Sequence, residues 1–155
     1  MNKETILRRS DNVTFQTIAG EAILIRMDTG TYFSLNPVGT DFWELLDGRS
    51  SIDHIAGIIA DKYNTKSDIF AATLVEMARR GPTADEAEAL AEEYDVELAA
   101  VQGHLGELTN APAGEDLTQY TATIAREFYV SAEDVLVDLL ELAQTMREDK
   151  LVEIV

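Results

Sequence analysis

The spacing of apolar residues changes from two to between three and four at Asn36. Before that point, Asn12 to Ile18 alternates apolar and polar residues and is rich in β-branched and aromatic side chains, which predicts a half-buried strand. Ala19-Gly20 interrupts it, and Glu21 to Met27 predicts a second strand in which Ile23-Leu24-Ile25 is continuous enough for burial on both faces. Asp28-Thr29-Gly30 reads as a turn, with Gly30 available for positive φ, and Thr31 to Leu35 predicts a third strand. The three together predict an antiparallel meander.

From Asn36 the pattern is helical. Asn36 is a good N-cap, and Pro37 sits at the first helical position, where its missing N–H is no loss. Val38, Phe42, Leu45 and Leu46 share a face, with Trp43 beside them as a core anchor, and Asp47-Gly48 predicts the end. Ser51 predicts the cap of a second helix, with Ile52, Ile55, Ala56 and Ile59 as its stripe and Tyr63-Asn64 closing it. A last helix, Ala132 to Glu148, follows Ser131, and Leu151 to Val155 is either a short strand or a frayed end.

Between these lies an internal repeat. Ile59-Ala60-Asp61-Lys62-Tyr63, Leu90-Ala91-Glu92-Glu93-Tyr94 and Ile124-Ala125-Arg126-Glu127-Phe128 share one design, each predicting a helix end followed by a second amphipathic helix. The second helices are predicted over Ile69 to Arg80, Glu97 to Leu108 and Ala132 to Glu148, with Ser67 and Thr83 as further caps and Asn110 to Glu115 as the loop. Ile69, Leu74 and Met77 predict one apolar stripe, and Leu98, Val101, Leu105 and Leu108 another.

Charge narrows the function. A net charge of −17 would repel a polyanion, so nucleic-acid binding is disfavoured. No Lys or Arg occurs from Gly81 to Ala125, a stretch rich in Asp and Glu that reads first as a solvated helical face and second as a patch for a basic partner. No apolar run is long enough to span a bilayer and the N-terminus lacks a signal-peptide core, so a cytoplasmic protein without a membrane partner is expected. The absence of cysteine removes disulfides and thiolate chemistry and fits a reducing compartment.

No catalytic constellation is visible. His54 and His104 each stand alone on a predicted helix and read as surface or satisfied histidines, the carboxylates lie on helix faces without a histidine partner, and no phosphate-binding glycine loop occurs. No catalytic residue, metal ligand or cofactor is assigned, and the chain reads as a non-enzyme.

Arg9, Val13, Gly20-Glu21-Ala22, Leu24, Gly30, Tyr32-Phe33, Leu35-Asn36, Gly39, Trp43, Leu46-Asp47-Gly48 and the Ile52/Ile55 helix resemble the PqqD-like fold, also called the RiPP precursor recognition element. Ser131 to Val135, Asp138, Leu139, Leu142 and Leu151-Val152 resemble its last helix and tail. The resemblance implies an α+β, winged-helix-like unit, a three-stranded antiparallel sheet plus helices, formed by residues 1–64 and 128–155. Residues 65–127 would be an acidic helical insert of duplicated helix pairs. It further implies binding of a precursor's leader peptide as an added strand along Thr31, Tyr32, Phe33, Ser34 and Leu35, beside Val135, Asp138, Leu139 and Leu142. The partner would be a modifying enzyme such as a radical SAM enzyme, a protease or a cyclase. The other reading is a regulatory or assembly domain that uses the winged-helix shape for protein contacts. The sequence leaves a homodimer open.

Overall fold

The computed structural model describes residues 1–155. Residues 1–61 with 130–155 form one compact unit, and residues 62–129 form a second.

In the first unit the meander consists of β2 (Val13–Ile18), β3 (Glu21–Arg26) and β4 (Tyr32–Ser34), in the order β2-β3-β4, each shorter than its apolar pattern predicts. The pairings Phe15 with Leu24 and Leu24 with Phe33 put these side chains on one face. Ala22 and Leu24 are buried, whereas Ile23 and Ile25 are only half-buried. The continuous apolar run therefore does not make β3 buried on both faces, because no second layer covers the far side of this small sheet.

The β2–β3 hairpin turns through Ala19 and Gly20 at φ of 52° and 81°. Two left-handed residues define the tight turn whose twist suits a hairpin, and it favours Asn-Gly. An alanine there is strained by its Cβ. Ala19→Asn should stabilise the protein by about 0.5–1 kcal/mol, read as a higher urea midpoint with unchanged slope.

A strand absent from the sequence reading, β1 (Leu7–Arg9), pairs antiparallel with β5 (Val152–Ile154). Arg8 and Glu153 face each other across it in an ion pair of 2.6 Å. The tail is thus a strand, and the two ends of the chain are hydrogen-bonded together.

Helix α1 (Pro37–Leu45) starts as its sequence requires, with the Asn36 carboxamide oxygen accepting from the Gly39 N–H at 2.7 Å. Phe42 and Trp43 are fully buried on it. Arg9 reaches the other end, donating from Nε to the Trp43 carbonyl at 3.1 Å and from its terminal nitrogen to the Glu44 carbonyl at 2.9 Å. Both carbonyls lie in the last turn of the helix, where acceptors run short of intrahelical donors, and the Trp43 carbonyl also accepts from the Leu46 N–H at 3.3 Å. Helix α6 (Ala132–Glu148) is capped by Ser131, whose hydroxyl accepts from the Asp134 N–H. It buries Val135, Leu139, Ala143 and Met146 at a spacing of three to four.

Helix α2 runs unbroken from Ile52 to Arg80, which corrects the predicted stop at Tyr63-Asn64 and merges the two helices predicted there. Asn64-Thr65-Lys66-Ser67 contains neither Gly nor Pro, and the modest helix propensities of these residues do not end a helix that tertiary packing supports. Ser67 consequently caps nothing. Its hydroxyl lies 3.0 Å from the Tyr63 carbonyl and 3.2 Å from the Phe128 carbonyl, as hydroxyls within helices bond back to the preceding turn.

The second unit continues with α3 (Ala84–Tyr94), α4 (Leu98–Thr109), a short 3-10 helix (Leu117–Tyr120) and α5 (Thr121–Glu127). Thr83 caps α3, accepting from the Glu86 N–H, and Asp95 ends it in the left-handed conformation. The core of this unit gathers Phe70, Leu74, Met77, Leu90, Val101, Leu105, Leu108 and Ile124, among others. Ile69, predicted on the buried stripe, is 52% exposed, and Phe70 takes its place. One residue of phase turns a helical position by about 100°, enough to exchange the two. Leu98 packs only partly against this core. His104 is largely buried, with Nε2 2.9 Å from Glu127, and His54 is exposed. No helix is long and apolar enough to cross a membrane.

Candidate functional site

Strand β4 is one of the two outer strands of its sheet, β2 being the other. The Arg26 N–H donates to the Thr31 carbonyl and the Leu35 N–H to the Ala22 carbonyl. In an antiparallel ladder, bonded and non-bonded pairs alternate, so Thr31, Phe33 and Leu35 direct their backbone groups to β3. Tyr32 and Ser34 direct theirs to the open edge. The side chains divide the same way: Phe33, opposite the fully buried Leu24, is half-buried, whereas Tyr32 is 71% exposed.

Where β4 passes into α1, a groove of about 450 Å³ opens, lined by Ser34, Leu35, Asn36, Val38, Gly39, Asp138, Leu139 and Leu142. Its walls are the end of the edge strand, the first turn of α1 and the middle of α6. The buried Thr40 hydroxyl accepts from the Ala22 N–H at 2.8 Å and lies 3.4 Å from the Leu35 carbonyl, tying α1 to the strand ends that frame this groove. Gly39 permits the close approach of α1 to α6. A Cβ there would lie 3.2 Å from the Asn36 Oδ1 and 3.5 Å from a Leu142 methyl, crowding the groove.

Of the residues singled out in the sequence, Ser34, Leu35, Asp138, Leu139 and Leu142 line one groove. Thr31, Tyr32 and Phe33 lie along the strand away from its lining, and Val135 is buried on the core side of α6. Asn36, Val38 and Gly39 were missed as lining residues. The signal for them was present: an N-cap and Pro directly after a strand force the first helical turn to sit at that strand's end.

The unit is an α+β fold with a three-stranded antiparallel sheet, and its edge strand β4 adjoins the groove. Residues 21–80 match the family model described as coenzyme PQQ synthesis protein D (PqqD), and the resemblance seen in the sequence is shown over this stretch. The matched stretch runs from β3 through α2, and so contains β4 and the α1 wall of the groove, while α6 lies outside it. Comparison with curated proteins and with solved structures gives no match.

Proposed function

We propose that this chain is a non-catalytic binding protein that takes the leader segment of a ribosomally made precursor peptide as an added strand on β4 and presents it to a modifying enzyme. In this reading residues 1–64 and 128–155 are the recognition unit, residues 65–127 are an acidic helical insert, and the enzyme is a radical SAM enzyme, a protease or a cyclase. The observation that carries it is the unpaired edge of β4 running into the groove against α6. The PqqD match supports it, since that family implies a peptide-binding partner protein. Main-chain pairing at such an edge supplies affinity with little regard to sequence, and adjoining pockets supply selectivity.

The register specifies the test. Proline at Ser34 removes an outward N–H without taking a donor from β3, and proline at Phe33 removes an inward one. Ser34→Pro should bind a leader peptide encoded beside this gene about two- to tenfold more weakly, the scale of one neutral hydrogen bond. Its circular dichroism should stay near that of the parent. Phe33→Pro should instead damage the sheet. Unchanged affinity in both Tyr32→Pro and Ser34→Pro, measured by fluorescence anisotropy, removes strand addition on β4.

A further inference from the structure

We propose that the groove selects a peptide carrying a lysine or arginine side chain opposite Asp138, with an aliphatic side chain two residues away seated among Leu35, Leu139 and Leu142. This rests on the strand-addition reading above and adds to it the chemistry of the peptide.

The lining is apolar at its floor and charged at a single point. Leu139 and Leu35 are 1% and 8% exposed, and Leu142 and Val38 are half-buried. Such a surface gains by covering an aliphatic side chain. Asp138 is the one ionisable residue of the lining, and its carboxylate has neither a hydrogen bond nor an ion pair within the chain. Asp134 and Glu141 flank it on α6, four residues before and three after, and so occupy the same side of the helix. The first basic residue on α6 is Arg147, more than two turns beyond Asp138. An acidic side chain placed here meets three carboxylates, and a cationic one is attracted by all of them. Groove walls of low polarisability strengthen that preference over what open water would allow. The net charge of −17 acts in the same direction at longer range.

The two-residue interval follows from strand geometry. An added strand continues the pleat of β4, so every second side chain lies on the face that carries Phe33 and Leu35. The groove adjoins Leu35 on this face, and consecutive side chains of the same face meet first one part of it and then the next. The intervening residue points to the opposite face, towards Tyr32 and Ile23.

The experiment pans a phage library of random dodecapeptides on the full chain, with Ser34→Pro and Asp138→Lys proteins as parallel baits. Asp138 is exposed, so its variants should fold, and far-UV circular dichroism checks this. Expected are peptides with Lys or Arg two positions from Leu, Ile or Val, depleted on Ser34→Pro and replaced by acidic peptides on Asp138→Lys. A synthetic peptide of the first pool should bind about threefold more weakly to Asp138→Asn and about tenfold more weakly to Asp138→Lys, with affinity falling as salt rises. Peptides that are lost on Ser34→Pro yet show no basic enrichment, or bind Asp138→Lys equally well, overturn the charge selection and leave strand addition standing. Peptides indifferent to Ser34→Pro, or no selected peptides at all, overturn both.

Discussion

Truncating Trp43 to alanine should destabilise the unit of residues 1–61 and 130–155 by about 3–5 kcal/mol, the usual cost of emptying a large aromatic site. The indole is fully buried, with the Phe15 ring edge-on at 5.7 Å and the Arg9 guanidinium 5.5 Å from the ring centroid. Arg9 also bonds the Trp43 carbonyl, so one side chain secures the end of α1 and covers its largest core residue. Trp43→Phe should be much milder. The indole Nε1 is buried without an acceptor, and removing an unsatisfied donor recovers about 1–3 kcal/mol, which offsets much of the lost contact. Urea unfolding followed by circular dichroism ranks the variants, and a phenylalanine variant as damaged as the alanine one would refute the orphan-donor account. Because α1 also carries Val38 and Gly39, the alanine variant should lose peptide binding together with its fold.

The second large effect is expected in residues 62–129. Phe70 is 1% exposed, and its ring centroid lies 5.1 Å from that of Tyr94 and 5.0 Å from that of Phe128. Those two aromatics close α3 and follow α5, so Phe70→Ala removes the ring that joins both helix ends to α2. A loss of about 3–5 kcal/mol is expected. In the full chain this should appear as reduced helicity and faster cutting by a Glu-specific protease within the acid-rich stretch from Glu86 to Glu115, whose carboxylates are otherwise held in helices or short loops. Protease resistance equal to that of the parent would show that the three rings do not hold this unit together. Ile69→Ala, one position away on the exposed side, should change little.

The meander, the capped start of α1, the span of α6 and the fully buried Trp43 were legible in the sequence because each depends on neighbours within a few residues. Period-two alternation makes β2, Asn36-Pro37 sets the first turn of α1, and Ser131 with Asp134 starts α6. Local signals also misled where packing had the deciding say. Tyr63-Asn64 resembles a helix end, but nothing there forbids helix and α2 continues. Ile69 fits an apolar stripe, but Phe70 fills the core. The resemblance read from separated short patterns reached the same family that residues 21–80 match, because those patterns combine turn glycines, a cap and core aromatics whose order records the fold.

The groove was only half legible. Its α6 residues and the end of its strand were named from the sequence, whereas Asn36, Val38 and Gly39 became part of it only through the approach of α1 to α6. Strand β1 shows the same limit more sharply. Leu7–Arg9 has too few residues for any periodicity to mark it, and it becomes a strand because Val152–Ile154, at the far end of the chain, supplies its hydrogen-bond partners. The sequence by itself determined which segments form helix or strand wherever cap, turn and period act locally. The tertiary structure alone decided which side chains meet around the groove and that α2 continues through Tyr63-Asn64, because those depend on contacts between residues far apart in the chain.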